Sequence, residues 1–274
     1  MDMETLVPDD LWALIAPLLP PRQPHRKGGR PWLSDRCALC GIMFVLKTGC
    51  GWNALPGVLG CGSGSTCWRR LRDWQGAGVW QALHRAILDR LGALGALDWS
   101  RVSVDSASLR AKKGAMRWGR TRPIGASRAP SVIWRLIARG CRWPLALTGA
   151  ERPDATVFAA VIASIPPVRG SRGRPRQRPE KVHADKGYDA RHCRRYLHRR
   201  GIKVRIARKG VEDKSRLGRW RWVVERTFAW LNHYRRLAIR YERREALHQA
   251  FLDLACALIC LKALRRHAKG LCNE

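Results

Sequence analysis

The spacing of apolar positions along this chain changes its period near residue 97. Before that point apolar residues recur at helical spacing. Residues 9–19, "DDLWALIAPLL", predict a short helix opened by Asp and stopped by Pro20 and Pro21. A basic loop follows, "PPRQPHRKGGRP". Ser34 then caps an apolar helix, "DRCALCGIMFVLKTG", and "GWNALP" reads as a turn. The stretch "GSGSTCWRRLRDWQGAG" predicts a helix with Trp68, Leu71 and Trp74 on one side and Arg69, Arg70 and Arg72 on the others. "VWQALHRAILDRLGAL" predicts another amphipathic helix. A Ser/Thr-capped, Arg-rich helix in such a set suggests a helix-turn-helix-like module that sets Arg69, Arg70 and Arg72 against DNA. A plain helical bundle with a solvated charged face stays open beside it.

From residue 98 short β-type runs alternate with helices. "RVSVD" predicts a strand ending at Asp105, and "DATVFAAVIASI" a helix. A basic Pro/Gly loop, "PPVRGSRGRPRQRPEK", leads to a strand "KVHAD", a basic helix "ARHCRRYLHRRG" and a strand "IKVRIA". "LGRWRWVVERTFAWLNHYRRL" reads as one helix, and "EALHQAFLDLACALICLKALRRH" as a long amphipathic one. Alternation of this kind predicts an α/β sheet with parallel neighbours. The expected division is a helical domain over residues 1–96 and an α/β domain over 97–270, with no internal repeat.

Charge narrows the partner. The 274 residues carry 53 Lys and Arg against 21 Asp and Glu, a formal net charge of +32. The hydrophobic content of 46% suffices for a packed core, so this is not a disordered basic tail. So many like charges repel one another unless a polyanion binds. Nucleic acid fits first, because the cations are spread through periodic, Trp-containing segments; an acidic membrane surface fits second. The start, "MDMETLVPDDLW", is acidic and unlike a signal peptide. The run "AFLDLACALICLKAL" contains Asp253 and Lys262 and reads as too short to span a bilayer. The expectation is a soluble cytoplasmic protein with reduced cysteines. Among the ten cysteines, Cys37, Cys40, Cys61 and Cys67 could suggest zinc. Only Cys37 and Cys40 have ligand-like spacing, so small buried hydrophobes are the favoured reading.

Where carboxylates are scarce, their positions carry information. Asp105 in "VSVDSAS" and Asp185 in "VHADKGYD" each follow an apolar strand. If these strands are parallel neighbours, both acids meet at one sheet edge. Glu225 lies within the aromatic helix "RWRWVVERTFAWL", where an unpaired carboxylate is costly. Salt bridges to Arg221 or Arg226 would account for Glu225, and turn or helix caps for the two Asp. Taken together, three hard oxygen ligands suit two Mg²⁺ ions acting on a phosphodiester. His183, beside Asp185, reads as an ordinary strand histidine; a supporting role next to a metal is the alternative.

These stretches reach a known family. The chain resembles a bacterial insertion-sequence transposase of the DDE class. The likeness rests on "GWNALP", "GSTCWRRLRDWQGAGVW", "VSVDSASLRAKKG", "ALTGAERPDAT", "IPPVRGSRGRPRQRP", "ADKGYD", "RIARKG" and "GRWRWVVERTFAWLNHYRRLAIRYERR", in that order. It implies a ribonuclease-H-like mixed sheet flanked by helices, preceded by the helical domain. It also implies Asp105, Asp185 and Glu225 as catalytic acids holding two Mg²⁺ or Mn²⁺ ions, and Arg221 as the basic residue one turn before the third acid. The Tyr and Lys that some relatives carry around this motif are replaced here by Gly218 and Asn232. Lys112, Lys113, Arg221 and Arg226 join Arg69, Arg70 and Arg72 as expected DNA contacts. The implied chemistry is hydrolysis of a phosphodiester at the element's ends, then attack of the freed 3′-hydroxyl on target DNA. The implied partner is double-stranded DNA, bound by a homodimer in the nucleoid, with no membrane involved.

Between "AKKG" and "PLALTG" the likeness stops. The family pattern there is Gly-Pro-Asn-Pro-x-Asp-Arg-Gly, a basic stretch, then His-Leu-x-x-Asp-x-x-Gly-x-Pro-Leu. This chain has "GRTRPIGASRAPSVIWRLIARGCRWPL". Codons that encode "RTRPIG", read one base earlier, can encode Pro-Asn-Pro-Thr-Asp-Arg. Those for "VIW", shifted the same way, can encode Arg-His-Leu. Residues 117–143 are therefore suspected to be read out of frame between two compensating indels. Their poor alternation predicts a weakened hairpin beside Asp105, although "SVIWRLIA" keeps strand character. Two outcomes stay open: a working transposase, or a non-catalytic DNA-binding remnant or regulator.

Overall fold

The computed structural model describes residues 2–21, 32–108, 110–111, 131–138, 142–143, 147–148, 154–208, 210 and 230–270, with the backbone alone over 105–111 and 131–148 and at Asp154.

The N-terminal part is helical. Helix α1 spans Met3–Leu6 and α2 spans Asp9–Ile15, running on into a 3₁₀ turn at Ala16–Leu18. The predicted Asp cap of α2 is displaced. Pro8 holds the cap position without a side-chain bond, and Asp9 and Asp10 fall in the first turn. There their carboxylates meet the positive end of the helix dipole. They also tie the helix outward: Arg36 donates to Asp9 at 2.6 Å, and Arg265 donates to Asp10 at 2.6 Å.

Helix α3, Asp35–Thr48, begins as expected. Ser34 Oγ accepts from the Cys37 N–H at 3.1 Å, and Gly49, at φ 74°, ends the helix. The "GWNALP" turn forms a 3₁₀ element at Trp52–Ala54. Helix α4, Gly64–Gly76, starts hard against it: a Cβ on Gly64 would lie 1.8 Å from the Trp52 carbonyl oxygen. Ser63 caps α4 by accepting from Thr66 N–H at 3.2 Å. Helix α5 spans Val79–Ala93.

The C-terminal helix α9, Glu245–Ala268, packs on α4 and α5. It is buried on all sides from Ala250 to Ala257, more than the amphipathic pattern predicted. A helix apolar all round needs such a position. Its 24 residues also correct the estimate of length, because it is long and apolar enough to cross a membrane by those measures alone. In the fold its most apolar window is 72% buried, as in the core helix of a globular protein.

The sheet has the strand order β4-β3-β1-β6-β7, with β5 also on β3. Strand β1 is Asp98–Ser108, β3 Ser131–Ala138, β4 Arg142–Trp143, β5 Leu147–Thr148, β6 Lys181–Ala184 and β7 Lys203–Ile206. Strand β1 is antiparallel to β3 and parallel to β6, and β6 is parallel to β7. The α/β expectation holds in these parallel ladders. β1 does not end at Asp105: it continues to Ser108, paired throughout with β3. The "SVIWRLIA" stretch supplies that pairing as strand β3, as its residual pattern predicted. Helices α6, Asp154–Ala163, and α7, Arg191–Arg199, contribute Phe158, Val161, Ile162, Cys193 and Leu197 to a core shared with Val102, Val104, Val182 and Ile206.

The long helix predicted through Leu237 is interrupted. Residues 230–232 are helical, but Tyr234 adopts φ −88°, ψ 92° before a separate short helix, α8, Arg235–Ala238. Strand β8, Ile239–Arg240, follows and pairs in parallel with β2, Arg110–Ala111.

Candidate functional site

The parallel ladder of β1 and β6 pairs Val102 with Val182, Ser103 with His183 and Val104 with Ala184. The next position on each strand is an acid, Asp105 and Asp185. Two scarce carboxylic residues therefore occupy matching positions where the ladder ends.

Asp185 is held by its own turn. It caps the 3₁₀ element Lys186–Tyr188, and its Oδ1 accepts from the Gly187 N–H at 3.1 Å. A Cβ on Gly187 would stand 3.1 Å from that oxygen, so glycine lets the backbone come this close. Tyr188 anchors the turn: it is buried, with its ring 5.5 Å from that of Phe158. Asp189, the other acid of "ADKGYD", has a structural partner. Arg194 donates to its Oδ1 through Nε at 2.9 Å and Nη2 at 2.7 Å, and Nη2 also reaches the Ile206 carbonyl at 3.0 Å. The turn is thereby fastened to β7, while the Asp185 carboxylate stays exposed.

Glu225, Arg221, Arg226, Lys112 and Lys113 lie outside the described residues, as does most of the suspect segment 117–143. Around them, the β2–β8 pairing brings chain just past Asp105 beside chain downstream of Glu225. Among the described residues no three His, Cys, Asp or Glu side chains form a metal-holding group. The donors at the ladder's end are nonetheless of the right kind: carboxylate oxygens suit a hard divalent cation, and Asp185 is open to one.

His183 is less ordinary than the pattern suggested. Burial, and then the neighbouring charges of Arg101, Lys181 and Arg205, push its imidazole down to about 4. It is therefore neutral at physiological pH.

The three arginines of α4 divide by environment. Arg69 is exposed, and its Nε donates back to the Ser65 carbonyl at 3.3 Å. Arg72 is exposed and lies 5.6 Å from the Trp68 ring, which Arg244 also approaches at 5.7 Å. Arg70 is half-buried between Asp35, at 3.7 Å, and the Trp32 ring, at 5.3 Å. The cysteines behave as small core side chains. Cys40, Cys61 and Cys67 are buried, and desolvation pushes Cys40 to about 11 and Cys67 to about 12.

Sequence reasoning missed a buried ionic cluster in "RRLAIRYE". Arg236 donates to Glu242 Oε1 through Nε at 2.9 Å and Nη2 at 2.6 Å, and through Nη1 to the Cys50 carbonyl at 3.0 Å. It thus closes the chain just after α3 from the opposite end of the sequence. Arg240 is wholly buried, and its Nε donates to the Glu242 carbonyl at 3.0 Å. His248 is buried beside both arginines, and burial pushes it down to about 3. The available signal was a run of ionic residues at alternating spacing inside an otherwise apolar stretch.

Comparisons with known proteins bear on the family of the chain. Residues 7–84 match the family described as "Putative transposase of IS4/5 family", and residues 182–265 match the "Transposase DDE domain". The chain is 50% identical over 160 residues to the "Putative transposase for insertion sequence element IS402" of Burkholderia cepacia, covering 57% of this chain and 76% of that protein. It is 53% identical over 129 residues to the "Insertion element IS402 uncharacterized 16.2 kDa protein" of the same organism, covering 46% of this chain and 88% of that protein.

Proposed function

Because the chain belongs to the insertion-sequence transposases of the DDE class, we propose that Asp105, Asp185 and Glu225 are its catalytic acids and that it cuts and rejoins DNA at the ends of its element. The observation that carries this reading is the matched placement of Asp105 and Asp185 at the end of one parallel ladder. The strand order, with an antiparallel β1–β3 pair beside two parallel ladders, supports a ribonuclease-H-like domain over 97–270 after a helical domain over 1–96.

Two Mg²⁺ or Mn²⁺ ions, held by the three acids, would supply charge stabilisation and an activated nucleophile. The chain's own residues do the rest. The Gly187 N–H and the Asp189–Arg194 pair fix the turn that presents Asp185. Arg69, Arg72, Lys112, Lys113, Arg221 and Arg226 hold DNA by its phosphates; the packed Arg70 chiefly holds α4 in place. Acting on two element ends calls for a homodimer, and a +32 chain of this kind works on DNA in the cytoplasm, at the nucleoid.

Residues 117–143 stand apart as a segment read out of frame, a reading that rests on the shifted-codon match. The test compares the chain as written with a version restored to the other frame over 117–143. Both are incubated with labelled element-end DNA and Mg²⁺ or Mn²⁺, with Asp185→Asn as control. Cleavage by both chains, lost in the control, supports the acid triad and makes the segment harmless. Cleavage by the restored chain alone identifies a frame-damaged transposase. Binding by both without cleavage favours the second reading, a non-catalytic DNA-binding remnant or regulator.

A further inference from the structure

Side chains alternate between the two faces of a strand, and in-register ladders align them into rows. In this sheet the two faces differ sharply. Val102 and Val104 of β1, Val182 of β6 and Ile206 of β7 share one face and are all buried in the core. The alternate positions form the other face. Lys181 pairs with Lys203, and Ser103 with His183 and then Arg205. Arg101 lies two residues before Ser103, close enough to His183 to depress its pKa together with Lys181 and Arg205. Lys203 and Arg205 are exposed; Arg101, Lys181 and His183 are half-buried.

The first row sets Lys181 opposite Lys203, and the second adds Arg205 beside the neutral His183. Glu180, at the mouth of β6, is already occupied by Arg176 at 3.4 Å. Like charges directly opposite on neighbouring strands destabilise a sheet. Strands lie about 4.8 Å apart and alternate residues about 6.7 Å apart along a strand. Lys181, Lys203 and Arg205 are therefore closely spaced. An anion lying along the face recovers what their repulsion costs. The next row in the strand direction holds Asp105 and Asp185, so the cationic rows lead directly to the candidate acids.

We propose that this face is a phosphate-binding track, with Lys181, Lys203 and Arg205 gripping the backbone of the DNA that flanks the scissile phosphodiester. The inference rests on the proposed cleavage at Asp105 and Asp185, and it adds a surface outside the acid triad. Its occupant is a phosphodiester backbone, matched by charge and by continuity with the acid edge.

The test uses the full chain carrying Asp185→Asn, so that binding is read without cleavage, and adds Lys203→Gln and Arg205→Gln singly and together. Affinity for element-end duplex is measured across a salt series. Each lost phosphate contact should reduce the slope of log K against log salt by about 0.9, and the pair by about 1.8. Arg199→Gln, an exposed cation on α7 outside this face, should leave the slope alone. Both track residues are exposed, and Lys203 stands opposite Lys181, so the double variant should melt close to its parent; each single variant checks this. A duplex with its flank shortened should bind more weakly to the parent but not to the double variant. An unchanged slope, or a flank effect that persists in the double variant, overturns the track. So does a loss of affinity that appears on RNA and not on DNA. Failure to cleave by chains that keep Asp185, both as written and with 117–143 restored to the other frame, would instead count against the acid triad alone if the slope change is intact.

Discussion

Ser103 and His183 face each other across the β1–β6 ladder, and each stands two residues ahead of an acid. The relationship brings Asp105 and Asp185 into register although 80 positions of sequence separate them. It makes Asp185 the most direct point of attack. Asp185→Asn keeps a side-chain oxygen that accepts from the Gly187 N–H, so the turn and the melting temperature should be retained. DNA cleavage should fall on the order of a thousandfold, the several kcal/mol that a cation-binding carboxylate helps supply to a developing charge. Single-turnover cleavage beside a thermal melt checks both; equal loss of fold and activity would remove the assignment.

The α4 arginines should separate in the same assays. Arg69→Ala is expected to leave stability within about 0.5 kcal/mol, as exposed substitutions do. It should lower the salt slope of DNA binding by about 0.9. Arg70→Ala removes contacts with Trp32 and Asp35 and should cost about 1 kcal/mol of stability, a typical value for a packed surface site. Its salt slope should stay close to that of the parent. Urea unfolding and a salt titration on the two variants distinguish these roles; a slope lost in Arg70→Ala and kept in Arg69→Ala would reverse them.

Much of this layout was legible in the sequence, for physical reasons that differ by region. Ser34 and Ser63 mark helix starts because a side-chain oxygen must satisfy the first free N–H groups, and both do so. The strands around Val102, Val182 and Val204 were legible because parallel strands with a buried face read as short apolar runs. What local pattern could not give was tertiary. Pro8, not Asp9, holds the α2 cap position, and the two aspartates pair instead with Arg36 and Arg265. The helix predicted through Leu237 breaks at Tyr234, where Arg236 turns inward to Glu242 and the Cys50 carbonyl, partners invisible to a helical-period argument. β1 runs past Asp105 because β3 pairs with it from Val102 through Ser108. Whether Glu225 joins the two aspartates is a question for the cleavage assay.

The Arg236–Glu242 pair yields a stability prediction. Both side chains are about 95% buried, so deleting one leaves a charge without its partner. Arg236→Ala should destabilise the fold by about 3–5 kcal/mol, and Glu242→Ala by a similar amount. The double substitution should cost less than the sum, because no lone charge remains. Denaturant unfolding of the four proteins reads the coupling; strict additivity would mean that the pair does not act as a unit.

Two ionisable groups on α9 make opposite predictions with pH. Asp253 accepts from Gln81 at 2.5 Å and from Gln249 at 2.8 Å, yet burial raises it to about 6. Its folded pKa lies above its unfolded one. Its contribution to stability is therefore fully present below about pH 4 and lost as pH rises through about 6. A shift of about two units corresponds to about 3 kcal/mol. His248 is the reverse: burial, with Arg240 and Arg236 beside it, holds it at about 3. Its contribution is present above about pH 6.5 and lost as pH falls. Between pH 4 and 6 the two oppose each other. Asp253→Asn should add stability near pH 7 and lose that advantage by about pH 4. His248→Gln removes the acid-sensitive member, so its stability relative to the parent should improve as pH falls over the same range. Unfolding free energies of the three proteins across pH 4–7 test this, and the two difference curves should run with opposite slopes. Parallel curves would mean that burial does not set the protonation of these groups.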